Sequence, residues 1–95
     1  MSYETHVTVP VPDPNIHGLV DLYDVIGREY NWKTSKITDA DTGTQKFYYT
    51  RHDNSIQQAK VKLNELTDCL RDRRIKILRE KIELIVFDTK NKVGY

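Results

Sequence analysis

The sequence predicts an α+β domain. Extended segments rich in β-branched and aromatic residues alternate with two amphipathic helical segments, in the order strand, helix, strand, strand, helix, strand. A turn at 39–43 joins the two middle strands, so each half of the chain offers a strand-helix-strand unit. This βαββαβ order is the ferredoxin-like arrangement, a four-stranded antiparallel sheet of strand order 4-1-3-2 with both helices on one face. The 95 residues fit a single domain, 1–95, in which 88–95 are expected to form a frayed tail.

The first strand is expected at 5–11, where polar and apolar residues alternate. Val7 and Val9 share one face of this strand, and His6 and Thr8 share the other. The strand ends at spaced prolines, which cannot donate to a sheet ladder: Pro10, Pro12 and Pro14.

The first helix follows a capping residue at Asn15. Its apolar stripe has helical spacing and consists of Leu19, Leu22, Tyr23, Ile26 and Tyr30. Gly27 lowers helix propensity, and the absence of a side chain there would let the helix lie close to the sheet.

A hairpin is predicted from two strands at 32–38 and 44–52, with Gly43 available for a positive φ in the turn. On the return strand, Phe47 and Tyr49 are expected to face the core. The other face would then present Tyr48, Thr50 and His52.

The second helix begins after capping side chains at 53–55 and closes at the basic run 71–74. Its apolar stripe is the clearest in the chain: Ile56, Ala59, Leu63, Leu66 and Leu70. The last strand is expected at 75–87. Its core face would carry Ile82, Leu84 and Val86, and its other face Lys81, Glu83, Ile85 and Phe87.

The sheet face opposite the helices is the candidate functional surface. The predicted ligand-binding residues on this open face are His6, Thr8, Tyr48, Lys81 and Glu83. The favoured function is a non-enzymatic binding or regulatory module that takes a protein partner or a small anionic ligand. A small enzyme with a polar site at His6, Lys81 and Glu83 is the alternative from another class, although their spacing matches no known catalytic motif.

The spacing of the histidines bears on metal binding. If the first and third strands run parallel, with Glu4 opposite Lys46, then His52 lies opposite Pro10, about 13 Å from His6. Zinc needs its ligands about 2.1 Å from one point, so the sequence predicts no metal site and no cofactor. The triplet His6-Val7-Thr8 matches one H-x-T element of the two-histidine phosphoesterases, but no second element is present.

A single-stranded RNA-binding module is the third possibility. RNA-recognition motifs share this topology and stack bases on aromatic residues of the first and third strands. The third strand here reads 46-KFYYTR-51 and lacks the glycines of the usual consensus, and the first strand has no central aromatic residue. Nucleic acid is therefore not the expected partner, and the net charge of +1 agrees with this.

The charge distribution, the cysteine count and the length of the apolar runs limit the remaining possibilities for function and location. Residues 1–45 hold seven acidic against three basic residues, whereas 71–92 hold eight basic against four acidic. The first interpretation is that these opposite charges attract across a compact fold or simply face water, and the alternative is a local basic patch for an anion. One cysteine, Cys69, excludes an intrachain disulfide, and no apolar run reaches membrane-spanning length. We therefore expect a cytoplasmic protein. Apolar residues on the open face, Ile85, Phe87 and Tyr48, predict a homodimer formed by packing two sheets.

Two short segments carry a resemblance to a known group of proteins. Thr5-His6-Val7-Thr8-Val9 in the first strand and Arg79-Glu80-Lys81-Ile82-Glu83 in the last resemble small uncharacterised ferredoxin-like proteins of tailed phages and cyanobacteria. The resemblance implies the same fold over nearly the whole chain, and host cytoplasm as the location of a phage protein. It implies no activity.

Overall fold

The structure is a computed structural model that describes residues 2–11 and 19–85. The element order confirms the predicted one, with β1 at Ser2–Pro10, α1 at Leu19–Glu29, β2 at Lys33–Thr38, β3 at Gln45–Asp53, α2 at Ile56–Asp72 and β4 at Arg79–Ile85. Four sequence predictions concern positions outside the described residues: the cap at Asn15, the core position of Val86, the open-face position of Phe87 and the tail at 88–95.

The four strands form one sheet of order β2-β3-β1-β4 in which every neighbouring pair is antiparallel. This confirms the ferredoxin-like α+β arrangement. The parallel alignment predicted for the first and third strands was wrong: Glu4 pairs with His52 and Pro10 pairs with Lys46. The reason is topological. Helix α1 returns the chain so that β2 runs in the direction of β1, and the hairpin then reverses it, so β3 opposes β1.

The core lies between the sheet and the two helices. Val7, Val9, Phe47 and Tyr49 are buried on the inner face of the sheet, as their alternation predicted. The helices contribute the rest of the core cluster, which is completed by Trp32: Tyr23, Ile26, Leu66 and Leu70. The ring of Tyr23 meets that of Phe47 edge to face, with centroids 5.4 Å apart.

The last strand is shorter at its start than its pattern suggested. Residues 75–78 have no regular structure. Ile75 and Ile77 still pack against the core, which explains why their apolar pattern predicted a strand. The Leu78 amide donates to the Thr8 carbonyl at 2.8 Å and leads the chain into β4. Leu84, expected to face the core, is 51% exposed, because β4 is an edge strand of the sheet.

Local chemistry fixes where the helices begin and end. The Ser55 hydroxyl accepts from the Gln58 amide at 3.1 Å and caps α2. Asp53, predicted to help in this cap, instead ends β3 and accepts two hydrogen bonds from Arg51, at 2.9 and 2.8 Å. Gly27 sits where a Cβ would come within 2.4 Å of the Thr34 side chain, so the close approach of α1 to the sheet requires glycine.

Candidate functional site

The strand register assembles the open face. Residues directly opposite in antiparallel strands point to the same side, and His6 is opposite both Thr50 and Lys81. In the same way, Glu4 is opposite His52 and Glu83, and Thr8 is opposite Tyr48 and Arg79. Three rows of side chains therefore cross β3, β1 and β4 on the face away from the helices.

The five predicted ligand-binding residues come together on this face. A shallow hollow of about 150 Å³ is lined by all five of them together with Arg79: His6, Thr8, Tyr48, Lys81 and Glu83. We call it the open-face hollow. Arg79 was not predicted as a site residue, because its segment was assigned to the strand without a facing; its parity with Lys81 and Glu83 was the available signal.

Glu4 is the centre of the polar contacts beside this hollow. One carboxylate oxygen, Oε1, lies 2.6 Å from Nε2 of His6, and the other, Oε2, lies 2.6 Å from Nε2 of His52. Partial burial by itself raises the pKa of Glu4, but the hydrogen bonds from His52 and His6, together with their charge, outweigh it and hold the pKa below its ordinary value. Glu4 is thus an ionised acceptor shared by two imidazoles.

Glu4 was missed as a site residue because of the parallel alignment. In that alignment Glu4 faced Lys46, and the two histidines were four residues apart along the strands. The antiparallel register instead places His52 opposite Glu4, next to the row of His6. The alternation of Glu4, His6 and Thr8 along β1 was present in the sequence, and the correct strand direction would have completed the cluster.

Both ring nitrogens of His6 are occupied. Nε2 faces Glu4, and Nδ1 lies 3.2 Å from the Thr50 hydroxyl. A general acid or base must reach a substrate proton through a free ring nitrogen. The arrangement therefore positions His6 as part of a fixed polar network, and proton transfer through it would require the ring to leave one of these partners.

Glu83 lies between His6 and Lys81. Its Oε1 is 3.2 Å from the Lys81 ammonium and 3.7 Å from His6 Nε2. One ligating atom from each of Glu4, His6 and Glu83 lies within 4.8 Å of the other two. The distance argument against a metal site shared by His6 and His52 rested on a parallel alignment of their strands, which the antiparallel register replaces.

The aromatic residues of β3 divide between the two faces. Phe47 is 3% exposed and Tyr49 is fully buried, so of the three consecutive aromatic residues only Tyr48 reaches the open face. The paired stretch of β1 places Glu4, His6 and Thr8 there, with no phenyl, phenol or indole ring among them. A base-stacking platform of the kind used by RNA-recognition motifs would thus consist of the Tyr48 ring and the imidazoles of His6 and His52, both of which Glu4 already engages.

A larger surface cavity of about 480 Å³ lies on the helical side, near the end of α2. Its lining contains three carboxylates, Glu65, Asp68 and Asp72, with Tyr30, Cys69 and Arg73. No imidazole or lysine lines it, and its carboxylates would repel the anionic ligand that the sequence favours. The smaller open-face hollow is therefore the better candidate site, because its lining joins two cations to one carboxylate, whereas the helical cavity joins one cation to three carboxylates.

Comparison with known proteins supports the fold. No protein-family model matches the chain, and no curated protein matches it. A de novo designed protein, Foldit4, superimposes with a TM-score of 0.63 at 8% identity, over 90% of this chain and 99% of that chain. A predicted antibiotic biosynthesis monooxygenase from Chloroflexus aurantiacus J-10-fl superimposes with a TM-score of 0.54 at 14% identity, over 90% of this chain and 94% of that chain. At these identities the likeness concerns the fold alone.

The lengths and apolar character of the two helices bear on whether either could cross a membrane. Within 2–11 and 19–85, neither helix combines the length and the apolar character needed to cross a membrane.

Proposed function

We propose that this chain is a binding module that holds a small anionic ligand in the open-face hollow. The observation that carries the proposal is the composition of the hollow's lining, in which Arg79, Lys81, Thr8 and Tyr48 offer cationic and hydroxyl donors around one cavity. Such donors favour a carboxylate or phosphate group, because charge-assisted hydrogen bonds are stronger than neutral ones.

The two cations of the hollow, Lys81 and Arg79, differ in whether a carboxylate already pairs with them. Lys81 is already paired with Glu83 at 3.2 Å. Among the residues that the structure describes, no carboxylate lies within salt-bridge distance of Arg79. Arg79 is therefore the expected anchor, since its planar guanidinium can bind a carboxylate or phosphate through two parallel hydrogen bonds. Tyr48 adds an apolar wall against which a planar part of the ligand would pack.

Titration monitored by amide NMR tests this proposal. Benzoate and inorganic phosphate serve as probes, one with a planar apolar part and one without. We expect shifts confined to the strands that line the hollow, and tighter binding of benzoate if the Tyr48 ring contributes. Arg79→Ala should weaken binding about 10-fold, the loss expected for a charge-assisted hydrogen bond of 1.5 kcal/mol or so.

Lys60→Ala is the matched control, because Lys60 is exposed on α2, on the other side of the sheet, and its loss changes the net charge by the same amount. Equal weakening in Arg79→Ala and Lys60→Ala would mean that only net charge matters. Shifts clustered around Tyr30 and Cys69 would move the site to the helical cavity. Either result would contradict the proposal.

A further inference from the structure

We propose that Glu4, His6 and Glu83 form a binding site for a divalent transition-metal ion on the open face, with His52 and Thr50 orienting the ligands. The site shares His6 and Glu83 with the open-face hollow but does not depend on the proposed anion binding. Its first basis is proximity: three potential ligand atoms lie within 4.8 Å of one another, on two neighbouring strands.

The distances require only small side-chain adjustments. Ligands about 2.1 Å from a tetrahedral ion lie about 3.4 Å apart. His6 Nε2 is 3.7 Å from Glu83 Oε1, which is close to that separation. His6 Nε2 is 2.6 Å from Glu4 Oε1, a hydrogen bond that an ion would replace by separating the two atoms by about 1 Å. The carboxylates are about one-third exposed, at 28% for Glu4 and 39% for Glu83, so both can move and an ion can enter from solvent.

The surroundings of His6 match those of a metal-ligating histidine. Such a histidine binds the ion through one ring nitrogen and donates its other N–H to a fixed acceptor. Here Nε2 faces the two carboxylates, and Nδ1 is 3.2 Å from the Thr50 hydroxyl, which can accept that hydrogen bond. Thr50 therefore fixes the ring in the orientation that presents Nε2 to an ion.

His52 has the corresponding role for Glu4. Its Nε2 is 2.6 Å from Glu4 Oε2, the oxygen that does not face His6. A carboxylate held through one oxygen presents the other in a defined direction. The set is thus one imidazole nitrogen and two carboxylate oxygens, and it leaves a coordination position for water or an exogenous ligand.

This donor set selects the class of ion. Mg²⁺ and Ca²⁺ prefer oxygen ligands throughout, whereas imidazole with carboxylates suits Zn²⁺, Co²⁺ and their first-row neighbours. Lys81 opposes binding, because its ammonium lies 3.2 Å from Glu83 and would be close to a second cation. Its side chain is 43% exposed and can turn into solvent.

Lys81 separates this proposal from the preceding one. Lys81→Met removes the competing cation, so it should tighten binding of Zn²⁺ several-fold. The same substitution should weaken binding of benzoate, because Lys81 lines the open-face hollow. The two proposals therefore predict opposite effects of one substitution, and either can fail without the other.

Isothermal titration with Zn²⁺ alone tests the site in the 95-residue chain. We expect one ion per chain, with binding weakened more than about 10-fold in Glu4→Gln, His6→Ala and Glu83→Gln, and up to about 10-fold in Thr50→Val. Glu65→Gln, which removes a half-buried carboxylate on α2, is the matched control and should bind like the wild type. Addition of Co²⁺ should produce d–d absorption bands, which Glu4→Gln and His6→Ala abolish.

NMR of the histidine rings in the wild-type protein tests the site without any substitution, so the test remains available if a variant does not fold. Zn²⁺ should shift the ring nitrogens of His6 most strongly. The absence of stoichiometric binding would overturn the proposal. So would binding that is unchanged in Glu4→Gln and His6→Ala, or ring shifts confined to His17 and His52.

Discussion

Tyr49 connects the sheet to the helical layer through a single hydroxyl group. Its side chain is fully buried on β3, and its hydroxyl donates to the Tyr23 carbonyl of α1 at 2.9 Å. Burial, followed by the nearby groups of Tyr23, Asp24 and Cys69, raises the pKa of Tyr49 well above the ordinary tyrosine value of 10.0. The residue therefore stabilises the fold only while it is neutral.

Tyr49→Phe should lower the free energy of unfolding at pH 7 by about 1 kcal/mol, because it removes one buried hydrogen bond. The pH dependence follows from the raised pKa. The Tyr49 contribution is complete below the unfolded-state pKa and is lost as the pH rises toward the folded-state pKa. The difference between variant and wild type should thus narrow above about pH 10 in urea unfolding series. A difference that stays constant up to pH 11 would contradict the assigned role.

Leu66 tests the packing of the second helix. It is fully buried in the core, as the apolar stripe predicted. Leu66→Ala should cost about 2–5 kcal/mol, a large part of the stability of a small domain. Val61 on the same helix is 62% exposed, so Val61→Ala is the control and should change stability by less than about 0.5 kcal/mol. Equal denaturation midpoints for Leu66→Ala and the wild type would refute the packing.

At the residue scale, the sequence was sufficient to predict which face of the sheet a residue occupies wherever polar and apolar residues alternate along a strand. It placed Val7, Tyr49 and Tyr48 correctly, because burial of one face fixes the parity of a strand. It did not identify Glu4 as the centre of the polar cluster. Parity decides the face of a residue, but its neighbours across the sheet depend on strand direction and register, which come from the path of the whole chain.

At the scale of elements, both helices end in the same backbone motif. The Trp32 amide donates to the Gly27 carbonyl at 2.6 Å, and the Ile75 amide donates to the Leu70 carbonyl at 2.9 Å. The residue before each donor adopts a positive φ, 66° at Asn31 and 59° at Arg74. These are Schellman endings, which usually place glycine at the left-handed position.

Arg74→Gly should therefore stabilise the protein by about 1 kcal/mol, because glycine adopts the left-handed conformation without the steric cost that a side chain incurs. Thermal unfolding followed by circular dichroism measures the change. Arg73→Gly is the control: Arg73 has a φ of −92°, so glycine brings no relief there. If both variants were destabilised alike, the strain assigned to Arg74 would be wrong.

The element bounds show what local pattern can and cannot define. The turn and Gly43, with its φ of 73°, were predicted from residue type alone. The start of β4 was not predicted correctly, because Ile75 and Ile77 are apolar residues that pack against the core but do not belong to the sheet. A buried coil and a buried strand have the same composition, and only hydrogen bonding to β1 separates them.

At the scale of the whole molecule, the open face bears on self-association. Within the described residues, most side chains on this face are polar, and the apolar ones include Tyr48, Ile85 and Ile37. We retain homodimer formation through this face as a proposal, with Phe87 beyond the described residues. Sheet-to-sheet packing would bury Ile85 at a two-fold contact, and it would compete with ligand binding in the open-face hollow, which lies on the same face.

Sedimentation over a wide concentration range tests this association. Ile85→Asp should weaken the dimer, because it places a carboxylate in a contact that excludes water. Leu84→Asp is the matched control, since the neighbouring side chain lies on the other face of β4 and is 51% exposed. A monomer at every concentration would exclude the dimer, and weakening by Leu84→Asp alone would place the contact on the other face.

The antiparallel pairing of β1 with β3 has a consequence for how folding errors would appear. A slip of one residue would turn Val7 and Val9 to solvent, so the core itself rejects it. A slip of two residues keeps every apolar side chain inside, yet it moves His52 away from Glu4 and Thr50 away from His6. The alternation of apolar residues does not distinguish that second register from the native one, whereas the imidazole–carboxylate contacts do, together with the core contacts of Phe47 and Tyr49 with Tyr23. The polar cluster on the open face thus acts as a check on strand alignment, and the histidine ring signals report whether a folded chain is also correctly registered.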